Sequence, residues 1–130
     1  MISVEGNELS LDDADRVKCP FVGGVILFSR NYSNKIQMSE MIKAIRSLRD
    51  DYLLIAVDQE GGSVQRFKND LTVLPSAEAI GNLYKNNPEY SKSAAYAVGF
   101  VMAAELRNLG IDFSFAPVVE KASSNRAIGD

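Results

Sequence analysis

The chain has 130 residues, 46% hydrophobic and 24% charged, with a formal net charge of −3. That length suits one compact domain, and its 14 Lys and Arg, gathered into no basic stripe, argue against nucleic-acid and anionic-membrane partners. With no histidine and a single cysteine, Cys19, the chain can build no Ser-His-Asp or Cys-His constellation and no internal disulfide. A zinc set is equally improbable, and neither a metal site nor a cofactor is expected.

In chain order, residues 1–4 are short and apolar enough for a strand. Ser10 with Leu11-Asp12-Asp13 has the look of a capping box and opens a helix reaching about Lys18, closed by Pro20. Residues 22–28 (VGGVILF) read as a strand apolar on both faces. Over residues 34–49, Met38, Met41, Ile42, Ile45 and Leu48 recur at helical spacing and form one core stripe. Residues 52–57 make the next strand, running into Asp58. Glycines and Pro75 mark 61–75 as loop with at most local hairpin structure. A short helix follows over 76–84. Pro88 opens a long helix with Ala94, Ala97, Val98, Val101 and Ala104 on one face, capped by Gly110. Residues 111–116 give a fourth strand, and 117–130 are loop. The first ten residues lack a basic region before an apolar core, and no apolar run approaches a membrane span, so a cytoplasmic, soluble protein is expected.

Strands alternating with helices predict an α/β fold with a parallel sheet covered on both sides. Two architectures suit the pattern: an open doubly wound sheet, or part of a (β/α)8 barrel, which needs roughly 250 residues when whole. No GxGxxG and no phosphate loop follows any strand, which counts against a nucleotide-binding fold.

In either architecture the loops after the strand C-termini carry the ligand site. Arg30-Asn31, Asp58 with Glu60, and the region of Glu120 fall at such ends. Asp58 is the most telling, because a carboxylate at the mouth of a buried strand is costly unless paired. It offers acceptors suited to sugar hydroxyls, and Arg66 offers a planar fork of donors. The plain alternative is an Asp58–Arg66 salt bridge that stitches a loop. Asp58 and Glu60 do not suit the two carboxylates of a glycosidase. Two residues apart on a strand they stand side by side, separated by roughly 6.6 Å of rise, whereas a retaining pair flanks the scissile bond at about 5–5.5 Å.

Taken together, VGGVILFSRNY (22–32), LIAVDQEGGSVQRF (54–67), the LP pair at 74–75, AAELRNLGIDFSFAPV (103–118) and AIGD (127–130) resemble the bacterial glycoside hydrolase family 3 β-N-acetylhexosaminidases. The resemblance implies a (β/α)8 TIM barrel, of which residues 1–130 supply the N-terminal half, roughly the first four βα units. It implies retaining hydrolysis of terminal N-acetylglucosamine from peptidoglycan-derived anhydromuropeptides, in cell-wall recycling. Asp58 and Arg66 match the pair that holds the non-reducing terminal sugar. The family's next sugar-binding arginine follows the IG-acid motif directly, one residue past Asp130. Its lysine-histidine pair, His-Asp acid/base loop and nucleophilic aspartate lie further on. No catalytic residue therefore falls within 1–130, and this chain alone is expected to be inactive. Ser63 stands where the family usually has arginine, Glu120 where it usually has aspartate, and Ser3 where aspartate is common. The competing reading is a non-catalytic sugar-binding or assembly module. Unpaired strand edges around 1–4 and 111–116 lead to an expectation of self-association.

Overall fold

A computed structural model describes residues 1–119. The chain runs β1 (Ile2–Ser3), α1 (Leu11–Lys18), β2 (Gly24–Leu27), a single 3-10 turn at Ser29–Asn31, α2 (Lys35–Arg46) and β3 (Leu54–Val57). A small hairpin follows, β4 (Gln59–Gly61) with β5 (Val64–Gln65), then α3 (Ala77–Asn86), α4 (Pro88–Leu109) and β6 (Phe113–Ser114).

The helix starts are chemical. Ser10 caps α1 by accepting from Asp13 N at 3.0 Å, and Asn34 caps α2 by accepting from Gln37 N at 2.9 Å. Pro88 sits in the first turn of α4, where its missing N–H costs nothing, and Gly110 closes that helix at φ 92°. The helix of 34–49 ends earlier than its apolar spacing suggests, at Arg46. Leu48 still packs against the core from the turn that follows.

Four strands pair in the order β1-β2-β3-β6, every neighbour parallel. The central ladder is the longest, Gly24 opposite Leu54 through Leu27 opposite Val57. Chain order and sheet order coincide without reversal, as in successive staves of a (β/α)8 barrel. A doubly wound sheet reverses its order at a switch point. Val25, Leu27, Ile55 and Val57 join Met38, Met41, Ile42 and Ile45 of α2 in one buried core. Ile26 and Ala56, out of phase by one, belong to the opposite face.

The long helix departs from the expected stripe. Ser91, Leu106 and Leu109 are buried, and Ala94, Val98 and Met102 are half-buried. Val101 of the expected stripe is half-buried as well, whereas Ala97 and Ala104 are exposed. The buried line runs 91-94-98-102-106-109, because the first half of α4 packs on α3 (Ser91 Oγ donates to Ile80 O at 2.8 Å) and only its last turns reach the sheet. A small-residue count alone selects the neighbouring face. No helix among the described residues is long and apolar enough to cross a membrane.

At the N-terminal ends of β3 and β6, Asp112 gathers four donors. Its carboxylate accepts from Arg46 Nη2 at 2.9 Å, Tyr52 OH at 2.5 Å, Ile55 N at 2.7 Å and Arg107 Nη1 at 3.3 Å. Burial by itself would raise this carboxyl's pKa. The bonds from Tyr52, Ile55 and Arg46 outweigh that and hold it below its ordinary 3.8. A depressed carboxyl stabilises the fold above its unfolded value, and that contribution goes as pH falls through the folded one. Asp112→Asn should cost about 3 kcal/mol at neutral pH, because Arg46 loses its charge partner in a site where Asp112 is 8% exposed. The difference in melting temperature between the variant and the parent should shrink as pH falls below 3.8. An equal difference at every pH would show that the carboxylate's charge is irrelevant.

Candidate functional site

Asp58 is the first residue past β3, at the carboxyl end of the sheet. Ser114 of β6 secures the exit. Its Oγ accepts from Gln59 N at 2.8 Å and lies 3.2 Å from Val57 O and 3.0 Å from Gln59 O, either of which can take its proton.

The chain then reverses through β4 and β5, with Gln59 opposite Gln65 and Gly61 opposite Val64. Gly61 and Gly62 have φ of 93° and 59°. A Cβ on Gly61 would lie 2.3 Å from Pro75 O and 3.2 Å from Leu74 Cβ. Gly62 N donates to Leu74 O at 3.0 Å. The Leu74–Pro75 strap therefore presses directly on the hairpin, and only glycine has both the backbone sign and the room.

Two buried amides brace the strand that returns. Gln59 accepts from Phe67 N at 3.0 Å and donates to Phe67 O at 2.8 Å. Gln65 donates to Phe67 O at 3.1 Å and Thr72 O at 2.8 Å, and accepts from Leu74 N at 2.9 Å. The Phe67 ring is fully buried and stacks on Tyr32, centroids 4.4 Å apart.

Arg66 thus reaches back to the sheet end. Its Nη2 donates to Asp58 Oδ2 at 3.3 Å, with side chains 33% and 24% exposed respectively. Its guanidinium sits 6.0 Å from the Phe28 ring centroid, and Arg30 lies 4.7 Å from the same centroid. Arg66 Nε is buried with no hydrogen-bond partner among the described residues. A groove of about 330 Å³ adjoins Arg66, lined also by Ser29, Tyr32, Ser63, Lys68 and Asn69, and Asp58 is not part of its lining.

The other strand-end polar residues divide. Arg30 and Asn31 donate to Val4 O, and Asn31 also donates to Gly6 O and accepts from Phe28 N, so both tie the end of β1 to that of β2. Glu120 lies outside the described residues. Glu60 is half-buried and lines a mostly apolar cavity of about 590 Å³ between α4 and β6, with Ile80, Val98, Met102 and Phe113. Burial, then the Asp58 charge, raises its pKa above the ordinary 4.5, against a smaller opposing pull from Arg66. Asp58 and Glu60 are therefore differently engaged, one on Arg66 and one on the α4 side.

Sequence reasoning brought Asp58 and Arg66 together. It missed Gln59, Gln65 and Ser114, which hold them there. The one sequence cue is spacing: each glutamine lies three residues from Gly62, which permits cross-strand pairing but does not show that the amides are buried. Among the described residues no cluster of three or more His, Cys, Asp or Glu could hold a metal ion.

Parallel strands that neighbour one another in chain order make this a barrel-type α/β domain, with the Asp58–Arg66 pair at the carboxyl end of its sheet. The chain belongs to glycosyl hydrolase family 3, matching its N-terminal domain over residues 1–130. It is 44% identical over 120 residues to the β-hexosaminidase of Nitrosospira multiformis, covering 92% of this chain and 34% of that protein. Its fold superposes with TM-score 0.87 and 40% identity on NagZ from Neisseria gonorrhoeae in complex with N-trifluoroacetyl-D-glucosamine, over 90% of this chain and 35% of that one. A family 3 β-N-acetylglucosaminidase from a Paenibacillus strain aligns at TM-score 0.79 and 35% identity, over 90% of this chain and 22% of that one. The chain thus spans about a third of the length of the curated relatives it matches.

Gly61→Ala should destabilise the fold by about 3 kcal/mol, from the left-handed backbone and the collision with Pro75 O. Thermal or urea denaturation checks this, and a loss under 1 kcal/mol would mean that the strap moves aside freely.

Proposed function

We propose that residues 1–130 form the N-terminal part of a family 3 β-N-acetylhexosaminidase barrel, and that Asp58 and Arg66 hold the terminal N-acetylglucosamine. The observation that carries the reading is the Asp58–Arg66 pair, 3.3 Å apart at the strand C-terminal rim, in a chain whose relatives are named β-hexosaminidase and β-N-acetylglucosaminidase. An acceptor carboxylate beside a planar donor fork complements adjacent sugar hydroxyls, each of which both donates and accepts. The pair binds and orients the sugar. It does not cleave. Retaining hydrolysis needs a carboxylate nucleophile and a proton donor on opposite sides of the anomeric centre, and the nearest further carboxylate in sequence, Glu60, lines the apolar cavity beside α4 instead. The substrate proposed is a muropeptide bearing terminal N-acetylglucosamine, and the setting is cytoplasmic peptidoglycan recycling.

In the protein that carries these residues with the remainder of the barrel, Asp58→Ala should lower kcat/KM on a chromogenic N-acetyl-β-glucosaminide by about 10- to 150-fold. That corresponds to the ~1.5–3 kcal/mol of a hydrogen bond to a charged group. Unchanged kcat/KM would reduce the Asp58–Arg66 contact to a loop-stitching salt bridge.

Residues 1–130 assayed alone on the same substrate should give no turnover, since they hold no histidine for a His-Asp dyad. Measurable hydrolysis would place the catalytic groups within this segment and overturn the division of labour.

A further inference from the structure

We infer that Gln59 and Gln65 are positioning residues for the sugar site: their side-chain amides clamp the main chain at Phe67 and so hold Arg66 against Asp58. The inference rests on the proposed role of Asp58 and Arg66 and adds the device that keeps that pair in register.

The need for a clamp follows from where the ladder stops. Regular pairing in the hairpin ends at Gln65, so Arg66 is the first residue beyond it and has no strand partner to fix its backbone. Its own side-chain contacts are long, 3.3 Å to Asp58 and 6.0 Å to the Phe28 centroid. A side chain with that many rotors is poorly fixed by one long bond. The next residue supplies the rigidity. Gln59 engages both the N–H and the C=O of Phe67, as a neighbouring strand residue would. Gln65 adds a second bond to the same carbonyl and uses its remaining donor and its oxygen on Thr72 and Leu74. Both amides are nearly fully buried, at 2% and 3% exposure, so water cannot replace bonds that are lost.

The chemistry also selects the amide. An ionised glutamate at 59 would set a second acceptor against Phe67 O, asparagine would fall one methylene short, and methionine would fill the space without pairing. Only a group with a donor and an acceptor side by side, at glutamine's reach, pairs both halves of one residue.

The test is a double-mutant cycle in the protein carrying the remainder of the barrel, with a chromogenic N-acetyl-β-glucosaminide as probe. Gln59→Met should raise KM about tenfold, and should add little further loss once Arg66→Ala is present, because the clamp then has nothing to position. An equal further loss in both backgrounds would overturn the inference and make Gln59 a general stabiliser of the fold. If Arg66→Ala itself leaves KM unchanged, the sugar-binding reading beneath it fails instead. Gln59→Glu gives a second, independent readout. Protonated, the side chain offers O–H to Phe67 O and C=O to Phe67 N. Ionised, it loses the donor. Its KM relative to the parent should approach one at low pH and climb as pH rises, while a ratio flat with pH would overturn the clamp.

Discussion

The parallel ladder between β2 and β3 decides where everything else can be. Four residues of each strand pair one to one, and Val57 is the last of β3 to lie in it. Up to that point an alternating strand must be apolar, because its side chains enter the helix-facing core or the opposite buried face. One residue later the backbone is free of the sheet, and a carboxylate becomes affordable at the rim. Asp58 occupies that first position, and the hydroxyl of Ser114, on the neighbouring strand, satisfies the amide of Gln59 as the chain departs. Site and core are therefore neighbours in sequence with opposite demands, separated by a single peptide.

The two ends of the sheet handle charge differently. At the amino end, Asp112 is enclosed by Arg46, Tyr52, Ile55 and Arg107, and its acceptors are saturated. At the carboxyl end, Asp58 has one long bond to Arg66 and remains partly open. The first arrangement suits stability, because a buried charge with all its partners in place resists opening. The second suits recognition, because a carboxylate with spare lone pairs can still accept from a ligand hydroxyl. A parallel barrel has this polarity in general, with the loops after the strand C-termini free for recognition and structural bonding below.

The sequence made much of this legible, for physical reasons that differ by element. Helix starts at Ser10, Asn34 and Pro88 were visible because capping is local chemistry. The α2 stripe was visible because one side of that helix faces a single apolar sheet. The α4 stripe is legible only in part, since half of the helix packs on another helix and half on the sheet, a division set by tertiary contacts. Asp58 and Arg66 stood out as charged residues beside an apolar strand. Gln59 and Gln65 did not, because a neutral amide next to a glycine turn looks the same whether it faces water or braces a buried backbone. Their importance comes from the enclosure around Phe67, which depends on Tyr32 and the Leu74–Pro75 strap arriving from elsewhere in the chain.

The short helix α3 buries none of its residues and is tied to the remainder through α4, with Ser91 bonding Ile80 O. Its removal from the body would uncover one side of α4 but leave the core between the sheet and α2 intact, so its opening costs less than global unfolding. In hydrogen–deuterium exchange, the amides of residues 77–86 should therefore open as a separate, fast unit, ahead of those of β2 and β3 in the core. Because the Leu74–Pro75 strap lies just before α3 and outside that unit, the helix can melt and re-form without loosening the hairpin that carries Arg66.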